Sequence, residues 1–349
     1  MYAKPFVLAD FHHSSLLQSL IMLFEGRIGG SLFRPIGTEW YTHGLWRMST
    51  HPNVVDQFLG VDEATPIITS ETLPDLTYPS IYSYQDAGFS HKGITLEAFY
   101  RMPMDIVIAS IPEHIEPFRH LCNTHPNKPK LIFQIGNSWT VKDKHVRNVM
   151  ASAIVDEVPS NVHFIRYHQE FDLSVFSPDF SYPDRNINSL INCFATAGHF
   201  SSDWKLFEQV EQLMPDWAFR SFGGECRDGN AEGPTGVAER ISEARFIWHT
   251  KNGGDGYGHV IYNSAAIARP LIVKMEYYKD QMGKELMTDG KTCVAIDGLS
   301  PEEIVQKIVF YSDEKRYAAL CKNIHSNFKA KVDFNSEAKA LQKFIKQLK

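Results

Sequence analysis

The stretch Lys251-Asn-Gly-Gly-Asp-Gly-Tyr-Gly-His-Val-Ile-Tyr-Asn-Ser-Ala-Ala-Ile-Ala-Arg-Pro270 decides how the second half of the chain is interpreted. The apolar run 245–250 before it predicts a strand, and 259–268 within it predicts a helix. Glycines between the two let the backbone pass close to a ligand, and the bare N–H groups of a helix start favour an anion. The stretch therefore predicts a strand, a glycine turn and a helix that together bind phosphate.

Two common phosphate-binding signatures do not fit this turn. The dinucleotide signature G-x-G-x-x-G fits no frame, because Gly254 and Gly256 would require a glycine where His259 stands. The first predicted strand has no glycine turn either, since it runs into Asp10-Phe-His-His13. No G-x-x-x-x-G-K-[ST] loop is present. Hydride transfer is the weaker interpretation, a P-loop kinase is excluded, and a glycine loop without a ligand stays an alternative.

Strand and helix patterns alternate along the whole chain, which is typical of parallel sheets covered by helices. Residues 172–188 interrupt the alternation with two prolines and no period of their own, so we interpret them as a linker. Strands are predicted at 6–10, 31–36, 104–110, 130–136 and 162–167, and after the linker at 187–194, 217–222, 245–250 and 271–274. Helices are predicted at 14–29, 203–213 with Asp203 as its cap, 236–244, 259–268, from Ser300 as a cap onward, and at 335–349.

The linker divides this pattern into two similar halves. We expect an α/β protein with two Rossmann-like parallel-sheet domains facing a cleft, a common place for a ligand. The predicted domains are residues 1–178, residues 179–330 and a basic amphipathic C-terminal helix at 331–349.

Composition excludes several classes of protein. The chain has 349 residues, of which 43% are hydrophobic and 22% charged, which is ordinary globular composition for two domains. Its five cysteines are scattered and never in C-x-x-C spacing, so we expect no disulfides, no zinc site and a cytoplasmic location. No apolar stretch approaches the ~20 residues of a membrane span. The net charge of −6 argues against general nucleic-acid affinity.

Four segments resemble an ordered set of family motifs. They are Glu170-Phe-Asp-Leu-Ser-Val-Phe-Ser-Pro178, Gly198-His-Phe200 through Lys205, Asp255-Gly-Tyr-Gly258 through Asn263 with Ala266–Val273, and Glu285-Leu-Met-Thr-Asp-Gly-Lys-Thr-Cys-Val-Ala-Ile-Asp297. On these segments the C-terminal half resembles the retaining GT-B glycosyltransferases of family 4 and their relatives. The N-terminal half matches only in its strand–helix rhythm. The resemblance implies transfer of a sugar from a nucleotide-diphosphate sugar, a UDP-sugar or a GDP-sugar, to an acceptor hydroxyl.

The donor site departs from the family pattern in its charges. The paired glutamates of the family are Asp255 and Asn263 here, and its phosphate-binding arginine is His199. Asparagine still forms hydrogen bonds with ribose hydroxyls but carries no charge. Candidates to supply the missing positive charge are His249, Lys251 and Arg227. The expected donor residues are Gly198, His199, Lys205, His249, Lys251, Asp255, Gly256, Tyr257, Gly258, His259 and Asn263.

The expected catalytic and acceptor residues lie in the N-terminal half. His12 or His13, oriented by Asp10, follows the first strand, and an imidazole there is suited to accept the proton of the acceptor hydroxyl. The aromatic segment 34–47 is expected to hold the acceptor, and its candidate residues are Arg34, Trp40, Tyr41 and Trp46. Packing of these histidines and aromatics within the fold is the alternative.

We expect no metal and no cofactor beyond the nucleotide sugar. The chain lacks the D-x-D motif of metal-dependent transferases, and Glu116 with His120 fits a solvated helix face better than a metal pair. The acceptor is a glycan, a lipid or a small molecule. One alternative is a phage-type enzyme that glycosylates hydroxymethylated DNA bases, and another is a non-catalytic protein that binds sugar nucleotides. We expect no stable membrane insertion, and the sequence sets neither the sugar nor the oligomeric state.

Overall fold

The computed structural model describes residues 4–10, 13–37, 39–40, 45, 81–86, 89–136, 146–196 and 200–349. The chain divides into two compact units, Met1–Phe171 with Phe334–Lys349, and Asp172–Asp333. The described strands are β1 (Phe6–Ala9), β2 (Ser31–Pro35), β3 (Ile81–Asp86), β4 (Phe89–Ile94), β5 (Ile106–Ala109), β6 (Lys130–Ile135), β7 (Asn148–Ala151), β8 (His163–Arg166), β9 (Asn186–Ser189), β10 (Ala218–Ser221), β11 (Phe246–Trp248), β12 (Leu271–Val273) and β13 (Cys293–Ala295).

The described α-helices are α1 (Ser14–Ile21), α2 (Leu96–Arg101), α3 (Ile115–Thr124), α4 (Ser201–Leu213), α5 (Gly233–Ser242), α6 (His259–Ile267), α7 (Pro301–Tyr311), α8 (Glu314–Lys331) and α9 (Phe334–Lys346). Short 3₁₀ segments lie at Pro112–His114, Met275–Tyr278 and Met282–Leu286. The helix predicted at 14–29 continues past α1 as a π-helical turn at Met22–Arg27.

The first unit is built on an eight-stranded sheet in the order β3-β4-β2-β1-β5-β6-β7-β8 among the described strands. Its neighbours pair in parallel except β3 and β4, which form an antiparallel pair at one edge. Alternate strand residues enter two separate apolar clusters, one on each face, so Leu8 and Val107 lie in one cluster and Val7 and Ile106 in the other. Helix α9 packs in the second cluster through Leu341 and its neighbours.

The second unit is built on five parallel strands in the order β10-β9-β11-β12-β13. The chain moves outward from β9 to β10 and then returns to β11 on the other side of β9. The carboxyl ends of β9 and β11 therefore flank the point where the direction of winding reverses, which is where open α/β sheets bind ligands. Both units confirm the predicted α/β class with two parallel-sheet domains.

One of the two predicted helix caps is confirmed, and the other is wrong. Ser300 caps α7 in a complete capping box with Glu303, as predicted. The prediction for Asp203 is wrong, because α4 begins at Ser201 with Phe200 at the cap position. Asp203 lies in the first turn instead, and its side chain is completely buried.

Six elements of the structure were not predicted from the sequence: β3, β4, α2, β7, β13 and α8. Strands β3 and β4 have few apolar residues besides Ile81, Phe89 and Ile94, which hides the alternation expected of a half-buried strand. Strand β13 has only three residues, too few to show a period.

Candidate functional site

The predicted glycine turn carries a cluster of charged side chains in the second unit. His249 follows β11 directly, and its Nε2 atom lies 2.6 Å from Oδ2 of Asp255. The ammonium of Lys251 pairs with the other carboxylate oxygen of Asp255. The His249 side chain is buried, while that of Lys251 is about one third exposed, at 35%. The sequence prediction thus named three residues that the structure brings into direct contact.

The cluster keeps Asp255 ionised. Burial alone would raise the pKa of the Asp255 carboxyl, but the charges and hydrogen bonds of His249 and Lys251 outweigh it. The pKa of Asp255 therefore lies well below its ordinary range. Because the carboxylate accepts from Nε2, the Nδ1 atom of His249 is left to interact elsewhere, and it is buried without a hydrogen-bond partner among the described residues.

The glycines of the turn adopt a backbone that other residues rarely adopt. Gly253, Gly254 and Gly258 have φ angles of +84°, +72° and +82°. A Cβ on Gly254 would lie 2.6 Å from the carbonyl oxygen of Tyr277, so the turn also packs closely against the segment after β12.

Helix α6 starts at this turn without a side-chain cap. Gly258 occupies the cap position, and the first turn of the helix carries no acidic residue. A helix start of this kind presents main-chain N–H groups and the positive end of the helix dipole. The location, beside the reversal point of the sheet, is suited to an anionic group.

Asn263 lies on α6, one turn beyond its start. The residue is only 6% exposed, and its side-chain oxygen has no hydrogen-bond partner among the described residues. Beside it, the rings of Tyr257 and Tyr262 stack at 4.5 Å, and the Tyr262 hydroxyl donates to Glu285 at 2.6 Å. These aromatic and carboxylate contacts hold the start of α6 in place.

A second ion pair lies at the same edge of the sheet, and the sequence analysis did not identify it. Lys274 follows β12, and its Nζ atom donates to Oδ1 of Asp203 at 2.7 Å and to the Tyr277 hydroxyl at 3.1 Å. The Tyr277 hydroxyl in turn donates to Oδ1 of Asp203 at 3.1 Å. Burial alone would lower the pKa of Lys274, but the bonds to Asp203 and Tyr277 outweigh it and raise that pKa. The only sequence signal was a lysine at the end of a buried strand.

The remaining predicted donor residues are less central or lie outside the described residues. Gly198 and His199 fall outside the described residues. Lys205 lies on the exposed side of α4. Arg227 pairs with Glu211 at 2.8 Å and also with Asp228, so its charge is already compensated on the surface.

In the first unit, Asp10 follows β1 and is almost completely buried. Its carboxylate accepts from the backbone N–H of Ser110, from the Ser110 hydroxyl and from Nδ1 of His114, at distances of 2.5 to 2.9 Å. Ser110 follows β5, so this network spans the reversal point of the first sheet. His13 is exposed at the start of α1, and His12 lies outside the described residues. The histidine that Asp10 holds is therefore His114, which the sequence analysis did not assign to a site.

Of the four predicted acceptor residues, Arg34 and Trp40 are buried, and the other two lie outside the described residues. Arg34 is buried near His91. Burial of the His91 ring, and then the charge of Arg34, lower the pKa of His91 to about 3. Trp40 is completely buried and packs edge-to-face on Phe99 at 5.7 Å. Its ring is enclosed in the apolar core, so for Trp40 the structure favours the packing alternative over contact with an acceptor. Tyr41 and Trp46 lie outside the described residues.

Neither a metal-binding group nor a membrane-spanning helix is present in the described part of the chain. No three histidine, cysteine, aspartate or glutamate side chains there are grouped to hold a metal ion. Glu116 pairs with Arg119 on the helix surface. No helix within the described ranges is long and apolar enough to cross a membrane.

Solved glycosyltransferase structures share this fold. A glycosyltransferase from Rickettsia africae superposes with a TM-score of 0.63 at 10% identity, covering 99% of each chain. HepE of Anabaena in complex with UDP-glucose superposes with a TM-score of 0.59 at 10% identity, covering 97% of this chain and 99% of its own. The spinosyn forosaminyltransferase SpnP has a TM-score of 0.51 at 9% identity, covering 99% of this chain and 100% of its own. The likeness confirms the GT-B class of fold.

No family model matches the sequence. No curated protein matches it by sequence either.

Proposed function

We propose that the protein is a glycosyltransferase that transfers a sugar from a nucleotide-diphosphate sugar to an acceptor hydroxyl without a metal ion. The observation that carries the proposal is the His249–Lys251–Asp255 cluster at the uncapped start of α6, at the carboxyl edge of the second sheet. The shared fold with a structure that holds UDP-glucose supports a nucleotide sugar as the ligand of this edge. We favour a UDP-sugar for that reason.

The chemistry of the proposal follows from where negative charge develops. Breaking the bond between the sugar and the diphosphate leaves charge on the phosphate, and fixed donors aimed at that charge lower the barrier. Main-chain N–H groups of α6 supply such donors, and the dipole of the helix adds to them. Lys251 adds a cation that Asp255 holds in place while leaving N–H groups free for a ligand.

His249 has two roles in this proposal. Its Nε2–H donates to Asp255, which fixes the orientation of the ring. Its Nδ1 atom, buried and without a protein partner in the described part of the chain, interacts with the donor. Asn263 lies on the same helix and offers its unpartnered carbonyl oxygen to a hydroxyl of the nucleotide or the sugar.

The acceptor side is proposed in the first unit. His12 or His13 remains the predicted base, and Asp10 contributes through its network with Ser110 and His114 at the end of β1. Arg34 is a buried charged residue at the start of the predicted acceptor segment.

Isothermal titration with UDP-glucose, UDP, GDP-mannose and GDP tests the donor site. We expect saturable binding of a sugar nucleotide and of its nucleoside diphosphate, with a rise in thermal unfolding temperature on binding. Slow hydrolysis of the bound sugar nucleotide, followed by the release of free nucleotide, would then separate an enzyme from a non-catalytic binding protein.

A variant links the binding to the proposed cluster. Asp255→Ala should remove the thermal response to the nucleotide while the protein remains folded. If no nucleotide binds the parent protein, the proposed function fails. If the Ala variant responds like the parent, the donor lies elsewhere.

A further inference from the structure

Lys274 and Asp203 form an ion pair across the end of β11, the strand that directly precedes His249. Asp203 is on α4, the helix that follows β9, whereas Lys274 directly follows β12. Strand β11 lies between β9 and β12 in the sheet. A contact of 2.7 Å between the two side chains therefore crosses the carboxyl end of β11, where His249 begins the candidate site.

Contacts of two adjacent tyrosines place this ion pair next to the His249–Lys251–Asp255 cluster. Tyr277 binds Lys274 and Asp203, as described above. Tyr278 donates its hydroxyl hydrogen to the backbone carbonyl of His249 at 3.0 Å, and the two rings lie 5.8 Å apart. Burial, and then the charges of Asp255 and Asp203, raise the pKa of Tyr278 well above its ordinary value. The charges of the Asp255 and Asp203 carboxylates therefore both act on the Tyr278 hydroxyl, so the two ion pairs belong to one polar region.

The ammonium of Lys274 retains a donor for a ligand. A lysine ammonium has three N–H groups. One donates to Asp203 and one to Tyr277, and within the described residues the third has no protein acceptor. The Lys274 side chain is 18% exposed, whereas the Asp203 side chain is completely enclosed, so of the two only Lys274 presents side-chain surface to solvent.

We infer that Lys274 binds the diphosphate of the nucleotide sugar and that Asp203 and Tyr277 position its ammonium. The inference rests on the proposed function, since it assigns a further binding residue to the same donor site. It also adds to the sequence prediction, in which the expected donor residues included Lys205 but not Lys274.

Lys274 suits this role better than Lys205, because its side chain is already held in place before a ligand binds. A lysine that is free in solvent loses rotamer entropy when a ligand immobilises it. Lys205 is exposed on α4, and so it would incur this loss in full. Lys274 is already held by two hydrogen bonds and by the face of the Tyr277 ring, at 5.1 Å from its centroid.

Titration of UDP and UMP into four lysine variants tests the inference. Lys274→Met removes the charge, and Lys274→Gln removes it while leaving an amide that still donates to Asp203. Lys274→Arg keeps a cation, and Lys279→Met removes an exposed lysine five residues further on as the matched control.

We expect Lys274→Met and Lys274→Gln to weaken UDP binding by about 10- to 100-fold, the range of a charge-assisted hydrogen bond. The loss for UMP should be smaller, because UMP lacks the second phosphate. Lys274→Arg should recover part of the affinity, and Lys279→Met should stay within about twofold of the parent. The glutamine variant keeps the test valid if the methionine variant does not fold.

The pH dependence of UDP affinity tests the role of Asp203 as a residue that positions Lys274. In Asp203→Asn, Lys274 loses the charge that raises its pKa above 10.5, and burial then lowers that pKa. The ratio of variant to parent affinity for UDP should therefore fall as the pH rises toward 10.5. A purely structural Asp203 would leave that ratio constant with pH.

The outcomes separate the two proposals. If the parent does not bind UDP or any other nucleotide, both fail. If the parent binds UDP and the uncharged Lys274 variants bind it equally well, the inference is overturned and the donor site stands.

Discussion

The Nε2 atom of His249 and the Oδ2 atom of Asp255 lie 2.6 Å apart, with the Gly253-Gly254 turn between the two residues in the chain. The glycines make this contact possible, because both have positive φ angles and let the chain fold back on the end of β11. The contact fixes the imidazole ring, and it ties the loop to the sheet. Loss of either partner should therefore affect both ligand binding and stability.

Asp255→Asn tests this contact while keeping the shape of the side chain. The variant leaves the Lys251 ammonium without its counter-ion and weakens the hydrogen bond to His249, so we expect a loss of about 1–3 kcal/mol in the free energy of unfolding. Binding of UDP should weaken by at least about tenfold, because the orientation of His249 is lost. Urea denaturation and isothermal titration measure the two effects.

Asp216→Asn is the matched control for that variant. The Asp216 side chain is 85% exposed, and its nearest cation, Arg185, is 4.0 Å away. An exposed pair of this kind contributes little, so both measurements should match the parent. Equal effects from the two substitutions would show that the cluster has no special role.

The buried His91 predicts a dependence of stability on pH. Its folded pKa is about 3, against an ordinary value of 6.5, because burial and then the charge of Arg34 disfavour the protonated ring. Below pH 6.5 the unfolded chain takes up a proton that the folded protein does not, so stability falls as the pH decreases from 6.5 toward 3. The contribution is on the order of a few kcal/mol at the acid end.

His91→Gln should lose less stability than the parent between pH 6.5 and pH 4, as measured by urea denaturation at several pH values. His120→Gln removes a histidine from the exposed surface of α3 as the control, and it should change stability less than His91→Gln does. Parallel curves for the His91 variant and the parent would contradict the assignment.

Substitution by alanine should lower the free energy of unfolding by different amounts at the two neighbouring glycines, Gly253 and Gly254. A Cβ on Gly253 meets nothing within 4 Å, so Gly253→Ala should cost only the positive φ, about 1–2 kcal/mol. A Cβ on Gly254 would lie 2.6 Å from a backbone carbonyl, and Gly254→Ala should cost roughly 1–3 kcal/mol more. Urea denaturation of the two variants compares them directly, and similar losses would count against the close packing at Gly254.

The capping box of α7 predicts a purely local effect. Ser300→Ala removes the acceptor for the Glu303 backbone N–H and should lower the free energy of unfolding by about 1 kcal/mol. The dependence of that free energy on urea should keep its slope. Ser202→Ala, at an exposed position in the first turn of α4, should change stability little or raise it slightly. A loss of the same size in both variants would refute the cap.

What could be predicted from the sequence lies close together along the chain. His249, Lys251 and Asp255 lie within seven consecutive positions around a glycine turn, so a strand followed by a helix is enough to bring them together. The strand–helix alternation and the Ser300 cap depend in the same way on neighbouring residues, whose spacing sets the local backbone.

Only the tertiary structure decided which distant residues meet. Asp203 and Lys274 are 71 positions apart, and Asp10 and His114 are 104 apart. Each contact joins segments that follow two different strands of the same sheet, and which of these segments are neighbours depends on the order of the strands. Hydrophobic periodicity specifies that a strand is buried, but not which strand it pairs with, because every buried parallel strand has nearly the same apolar pattern. Trp40 shows the same limit, since its sequence context resembles an exposed aromatic loop while packing against Phe99 places it in the core.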